Sequence, residues 1–253
     1  MTAIVLGMMT KKGGAGKSML TKLLASAAVY SGKKVMVIDL DPEEDIASWW
    51  RAVTEKGNAH PDLAIRATRE VTDLYDIIEA NEEKYDFILI DTKGEGSEAA
   101  DHLASVSDRI LVPCLCADSD VRRTRETVQW YEGLKSRVDD PAQIPPLFVV
   151  LSRMPPQMLK YDGTGKPAGV VVHDFERFEA MLNEFNPLKA MVPDRTQYRD
   201  MDSRGLLGTL LDQAREGDAL MRGQIPHYEN ALAHALNLMN SILKGQRMRS
   251  TNA

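Results

Sequence analysis

The sequence predicts a doubly wound α/β fold, a mostly parallel sheet with helices on both faces. Three observations predict it. Short apolar runs alternate with helically periodic stretches along most of the chain, the signature of repeated right-handed βαβ units. Runs such as Val35-Met36-Val37-Ile38 and Phe87-Ile88-Leu89-Ile90 are apolar at every position, as strands covered on both faces must be. The first apolar run leads into a glycine-rich loop and then a helix, the arrangement that opens such a unit at a phosphate.

The elements follow in order. Residues 4–9 read as a strand and 18–31 as a helix, which Gly32 closes before a strand at 34–40. Residues 45–56 are expected to be helical, 63–67 extended, and 71–84 helical. A strand at 87–90 precedes a helix over 97–105, and a strand at 110–115 precedes a long helix over 120–137. A strand at 147–151, a helix at 174–185 and a short strand at 190–192 follow, with helices filling most of the remainder. Pro145-Pro146 and the Pro- and Gly-rich stretch 154–168 read as loops. The second lies just after a strand, at the edge where ligands dock in such sheets.

The 253 residues are read as one domain, 1–253, with C-terminal helices from about 206 and a short basic tail over 244–253. Apolar residues make up 43% and charged residues 27%, enough to build a core without staples. The formal charge of −6 means that any nucleic-acid contact must come from a local basic patch. Cys114 and Cys116 alternate onto one face of a strand and read as core residues, and the five histidines show no metal-ligand spacing. No run approaches the ~20 apolar residues of a membrane span. The first residues read as a strand rather than a signal peptide. A cytoplasmic protein is expected.

The strongest chemical signal is Lys12-Gly13-Gly14-Ala15-Gly16-Lys17-Ser18. Glycines let the chain wrap an anion closely, and a helix N-terminus behind them aims main-chain N–H groups at it. Lys17 is placed to reach the β- and γ-phosphates of a nucleotide, and the Ser18 hydroxyl to ligate magnesium. The usual pattern has a glycine five residues before Gly16; here that position is Lys11.

These residues resemble the deviant Walker A motif of the ParA/MinD ATPases. Val37-Ile38-Asp39-Leu40-Asp41-Pro42 resembles that family's switch I, and Phe87-Ile88-Leu89-Ile90-Asp91-Thr92 its Walker B strand. Ile110-Leu111-Val112-Pro113 matches a further element, and Val192-Pro193-Asp194-Arg195 with Tyr198 resembles the late nucleotide-side loop. The resemblance covers residues 3 to about 210, with the motifs in the family's order. It implies a P-loop ATPase that uses ATP and Mg2+, with Gly13, Gly14, Ala15, Gly16, Lys17, Ser18, Met19 and Pro193 around the nucleotide. Lys12 matches the signature lysine that crosses a dimer interface to the partner's phosphates. Lys12, Lys17 and Asp41 are the implied catalytic group, Asp41 orienting the attacking water. Asp91 matches the aspartate that holds magnesium through water, and Asp39 is a strand-end candidate near the metal shell. Met19 departs from the family's usual hydroxyl, and Thr92-Lys93-Gly94-Glu95-Gly96 is more charged than the usual sequence there. Residues 91–98 and 195–205 resemble a subgroup, the ParA-like ATPases that recruit conjugative relaxosomes to a secretion channel.

The resemblance also implies partners: a homodimer with ATP, non-specific DNA, and either a centromere-binding ParB-type protein or a relaxosome component. Candidate DNA contacts are Arg195, Arg199 and Arg204, with Asp194, Asp200 and Asp202 interleaved, and Lys244, Arg247 and Arg249 in the tail. Arg122, Arg123 and Arg125 form another cluster. Three uses are open: DNA partitioning at the nucleoid, recruitment of relaxase–DNA complexes at a cell pole, and membrane-bound positioning of the MinD kind. The last would draw on Leu232, Leu236, Met239 and Leu243, at helical spacing near the C-terminus; the expectation is that this stripe packs on its own domain. A metabolic synthetase or a nitrogenase-type reductase is a distant alternative, and the second lacks separate cluster-ligating cysteines. No N-terminal DNA-reading domain is expected.

Overall fold

The computed structural model describes residues 2–11, Gly14, 16–93 and 97–248, apart from the side chains of Ser97 and Glu98. Lys12, Gly13, Ala15 and Arg249 therefore lie outside the described residues. The strands are β1 (Ile4–Met8), β2 (Val35–Asp39), β3 (Leu63–Ala67), β4 (Phe87–Asp91), β5 (Arg109–Leu115) and β6 (Leu147–Ser152). The helices are α1 (Lys17–Tyr30), α2 (Asp45–Glu55), α3 (Leu74–Glu79), α4 (Ser97–Val106), α5 (Asp118–Lys135), α6 (Val172–Phe185), α7 (Thr196–Arg204), α8 (Leu207–Glu216), α9 (Ala219–Arg222) and α10 (Ile225–Lys244).

All six strands are parallel, in the order β3-β2-β4-β1-β5-β6. The fully apolar strands are covered on both sides, as their composition requires. Alternate side chains feed two cores. Leu6, Met8, Val35, Val37 and Leu89 point to the face packed by α1, α2, α7, α8 and α10. Val5, Met36, Ile38, Ile88 and Ile90 point to the face packed by α3, α4, α5 and α6. β1 stands between β4 and β5, and the chain leaves β1 through α1 on one face and passes from β4 to β5 through α4 on the other. Strand order reverses here, and in such sheets the crevice at the carboxyl ends beside the reversal is where a ligand docks.

Two expected elements differ. Residues 71–84 form a 3-10 turn at Val71–Asp73 and the short α3, with only Leu74, Ile77 and Ile78 buried along α3. The Asn81 amide donates to the Ile77 carbonyl at 2.7 Å, and Ala3 N–H donates to the Glu82 carbonyl at 2.8 Å. These contacts turn the chain early toward β4. Residues 190–192 follow β6 without forming a regular strand: Val192 N–H donates to Leu151 and Met154 N–H to Val192, both within 2.9 Å, before a bridge between Met154 and Pro193. Asp194 N–H donates to the Met154 carbonyl at 2.9 Å, just before α7 begins at Thr196.

The C-terminus is tied to the opposite end of β6. Arg247 bridges Leu188, its guanidinium donates to the carbonyls of Asn186 (3.0 Å) and Leu147 (2.7 Å), and it lies over the Phe148 ring.

Candidate functional site

The site is assembled at the carboxyl edge of β1, β2 and β4. Register places Met8, Asp39 and Asp91 in one row across these three strands. The loop leaving β1 is anchored early: Met9 N–H donates to Leu111 and Lys11 N–H to the Thr127 hydroxyl. Gly14 and Gly16 both have φ +86°, a left-handed conformation costly for other residues, and a Cβ at either would meet nothing within 4 Å. Their requirement is thus conformational, and the space beside them is open for a ligand. Gly16 leads into α1, whose first turn carries no acid and no side-chain cap. The opening amides of a helix have no partner within it, and together with the helix dipole they favour an anion.

Lys17 stretches across the strand ends. Only 6% exposed, it donates from Nζ to the Thr10 hydroxyl at 3.1 Å and to the Lys93 carbonyl at 3.3 Å. Burial lowers its pKa, and the charges of Asp91 and Asp41 oppose that shift. Asp91, at the end of β4, is 0% exposed. Burial pushes its carboxyl up to about 7, with Asp39 adding to the shift and the Ser18 hydroxyl, Lys17 and Thr21 opposing it. The Thr21 hydroxyl lies 3.3 Å from Oδ1, and Oδ2 is buried with no partner.

That unanswered oxygen tests the fit of a divalent cation. Buried carboxylate oxygens need a cation or a donor. Asp91 beside the Ser18 hydroxyl, at the mouth of a phosphate loop, offers the sparse oxygen set that magnesium takes when water and phosphates complete its shell. Among the described residues no cluster of three or more His, Cys, Asp or Glu exists that could hold a metal by itself.

Asp39 is used differently. Its Oδ1 accepts the Asp41 N–H at 3.0 Å and its Oδ2 accepts the Ala47 N–H at 2.9 Å. Both oxygens are engaged by the main chain, so Asp39 shapes the loop after β2 and caps the start of α2. Burial raises its pKa while these amides lower it. Asp41 sits half-buried in that loop, where its Oδ1 accepts the Glu43 N–H and its charge is felt by Lys17. Leu40 N–H, donating to the Asp91 carbonyl at 2.8 Å, holds the loop against β4. Met19 is half-buried against the α1-side core, and Pro193 is buried at the end of the Met154 bridge.

The basic candidates do not form one patch. Arg195, Arg199 and Arg204 ride on α7 or its cap; Arg199 is exposed, Arg204 donates to Gln213 at 3.1 Å, and Arg195 reaches Asn230 with its Nε buried and unpartnered. Tyr198, one turn on, also has a buried unpartnered hydroxyl, whose pKa burial raises. The acids between them are engaged, Asp202 by Lys22 and Asp200 by the Tyr228 hydroxyl. Lys244 is exposed at the end of α10, whereas Arg247 spends its guanidinium on the Asn186 and Leu147 carbonyls. The α7 set follows Pro193, past the carboxyl end of β6, and Arg247 sits at the start of that strand. A strand of six residues separates them by roughly 16–20 Å. Arg123 pairs with Asp120 and Arg125 with Glu184, leaving less free charge on α5 than its composition suggests. Cys114 is buried and Cys116 half-buried, both as free thiols.

Along α10, Leu232 and Met239 are buried and Leu236 and Leu243 pack against the α1-side core. The apolar stripe is therefore used within the fold. No helix among the described residues is long and apolar enough to cross a membrane. Sequence reasoning missed Thr10 and Thr21. Thr21 was within reach, because it lies one helical turn after Lys17 and so on the same face.

Comparison with known proteins bears on the family and the fold. The family model described as VirC1 protein matches residues 3–246. The protein virC1 of Rhizobium radiobacter is 24% identical over 207 residues, covering 81% of this chain and 83% of that one. The protein ParA of the same organism is 23% identical over 197 residues, covering 77% and 85%. Among solved structures, the septum site-determining protein MinD from Pyrococcus horikoshii, complexed with Mg-ADP, superposes with a TM-score of 0.61 at 17% identity, covering 93% of this chain and 96% of that one.

Proposed function

The chain belongs to the VirC1 family of ParA/MinD-like ATPases, and on that premise we propose that it is an ATP-dependent dimeric switch serving conjugative DNA transfer. The observation that carries the nucleotide reading is the convergence of the Gly14–Gly16 loop, the buried Lys17 ammonium and the unpartnered Asp91 oxygen at one strand edge. The loop that opens α1 and the Lys17 ammonium would hold the phosphates of ATP. Ser18, and Asp91 through water, would hold Mg2+, which would supply charge neutralisation on the phosphates. Asp41 orients the attacking water. Asp39 keeps the loop that carries Asp41 in shape. Phosphoryl transfer has a loose transition state, so positioning and charge neutralisation account for most of the catalysis.

The resemblance gives Lys12 the role of contacting the partner's phosphates, through which ATP would favour the homodimer by mass action. The dimer brings two copies of the α7 arginines onto one body, and doubling weak phosphate contacts raises apparent affinity for non-specific DNA. That accounts for DNA binding by a chain of net charge −6 in one nucleotide state only. Two uses of such a switch compete. Partitioning pairs it with a centromere-binding ParB-type protein, and transfer pairs it with a relaxase–DNA complex. The VirC1 match over residues 3–246 supports the second, together with the resemblance of residues 91–98 and 195–205 to relaxosome-recruiting ATPases. The packed α10 stripe gives a membrane-positioning role no support.

The test is light scattering and a salt-controlled gel shift on wild type and Lys12→Gln, with ATP and with ADP. Wild type dimerises and shifts DNA only with ATP, and Lys12→Gln binds ATP yet stays monomeric and loses DNA. Robust DNA binding by the monomeric variant refutes the coupling. Co-purification of the ATP form with a relaxase, against a ParB-type protein, separates the two uses.

A further inference from the structure

We infer that Thr21 is a positioning residue that fixes the Asp91 carboxylate in the orientation the magnesium nucleotide requires. The inference rests on the nucleotide reading above and adds to it a residue outside the loop motif.

Thr21 is 0% exposed, in the second turn of α1. Its hydroxyl lies 3.1 Å from the Lys17 carbonyl and 3.3 Å from Asp91 Oδ1. A threonine bonding back to the carbonyl four residues earlier is ordinary in helices and by itself means little. The neighbours make the difference. Leu20, Leu23, Leu24 and Ala25 around it are apolar and buried, and an apolar residue at 21 would serve that packing with a better helix propensity. The one hydroxyl in this stretch of α1 faces the one carboxylate at the end of β4.

That carboxylate has two oxygens with different surroundings. Oδ1 meets Thr21, and Oδ2 is buried and unpartnered. A single contact leaves a carboxylate free to rotate about its Cβ–Cγ bond. Thr21 sits on the helix that also carries Ser18, whose hydroxyl reaches the same carboxylate from one turn nearer the loop. The Thr21 contact on Oδ1 fixes which oxygen of the group faces α1, and Oδ2 is the oxygen left without a partner. Lys17, whose carbonyl meets the same Thr21 hydroxyl, is registered with Asp91 by the same atom. Outer contacts of this kind orient the inner ligands of a metal and tune its affinity.

The test compares Thr21→Val, which removes the hydroxyl and keeps the branched shape, with Thr21→Ser, which keeps the hydroxyl. A fluorescent ATP analogue is titrated in EDTA, and Mg2+ is then titrated at fixed nucleotide, with circular dichroism checking that each variant is folded. Thr21→Val is expected to keep its EDTA affinity within about twofold while the Mg2+ midpoint rises by about 10-fold or more, with Thr21→Ser close to wild type. A wild-type Mg2+ midpoint in folded Thr21→Val overturns the positioning role and leaves the nucleotide reading intact. Loss of nucleotide binding in EDTA, unrescued by Thr21→Ser, also overturns it, because the residue then acts on the loop as a whole. If Thr21→Val does not fold, Thr21→Ala replaces it under the same criteria. Absence of Mg2+-dependent binding in wild type overturns the nucleotide reading itself.

Discussion

The indole Nε1 of Trp49 donates to the main-chain carbonyl of Met201 at 3.0 Å, joining α2 to α7. Lys56 and Asn58, just after α2, donate to the next carbonyls, Ser203 at 2.7 Å and Arg204 at 2.8 Å. Lys22 lies over the Trp49 ring and pairs with Asp202. The helix that follows the Asp41 loop is thus fastened to the helix that bears Arg199. Trp49→Phe removes the donor, leaves the Met201 carbonyl with the Gly205 N–H alone (3.1 Å), and leaves a small void. It is expected to destabilise the protein by about 1–3 kcal/mol in urea unfolding. Lys56→Ala, on an exposed bond, should cost less. Equal midpoints for Trp49→Phe and wild type would show that the Met201 contact contributes nothing.

Lys17→Ala is expected to abolish detectable ATP binding. The Nζ now shared by Thr10 and the Lys93 carbonyl is the one buried cation at the described phosphate loop. Charge-assisted hydrogen bonds to phosphate contribute on the order of 1.5–3 kcal/mol each, and the amides alone do not replace them. Isothermal titration giving wild-type affinity would remove Lys17 from the site.

Asp41→Ala should bind ATP normally and hydrolyse it on the order of 100-fold more slowly, or worse, because a positioned carboxylate acts on the transition state rather than the ground state. The variant should accumulate as the ATP-bound dimer. Its loop loses only the Asx contact to Glu43 N–H, while Asp39 still caps α2. Unchanged turnover would assign the water to another group.

The raised pKa of Asp91 gives a pH dependence of definite sign. Folded, the carboxyl titrates near 7; unfolded, it titrates near an ordinary aspartate. Between those values the folded protein holds a proton that the unfolded chain has released. Stability of the nucleotide-free protein therefore falls as pH rises from about 4 to about 7 and is level above, by at most about 4 kcal/mol from this group. Asp91→Asn should flatten much of that slope and melt higher than wild type at pH 8 in EDTA. A residual slope is expected from Asp39, which is shifted the same way. An undiminished slope in Asp91→Asn would place the titration elsewhere.

Much of this was legible in the sequence, for reasons that differ by element. The parallel sheet was readable because strands buried on both faces must be apolar throughout, as Val35–Asp39 and Phe87–Asp91 nearly are. The phosphate loop was readable because few residue types tolerate φ +86°, so Gly14 and Gly16 announce themselves. What escaped was partner choice. Arg247 in a basic tail looks like surface charge, yet two carbonyls and a ring bind it. Asp39 looks like a metal-side acid, yet two amides claim it. Thr21 looks like a neutral helix position until β4 brings Asp91 beside it. The helix expected over 71–84 ended early because Asn81 and Ala3, distant in sequence, turn the chain together. The Thr21–Asp91, Arg247–Leu147 and Ala3–Glu82 contacts join residues far apart in sequence, and no local pattern encodes them.

The packing of α1 against α10 carries a consequence for synthesis. Leu20, Leu23, Leu24 and Ala27 of the first helix are covered in part by Leu232, Ala235, Leu238 and Ile242 of the last. A ribosome delivers α1 long before α10. The helix that presents Ser18 and Thr21 to Asp91 emerges first, and its outer flank stays uncovered until α10 follows. Contacts of such long sequence separation slow folding and leave apolar surface open meanwhile. A nascent chain halted before α10 therefore exposes an apolar flank beside its phosphate loop, a surface for chaperones rather than for nucleotide. The cover on that flank of α1 exists only once α10 has been made.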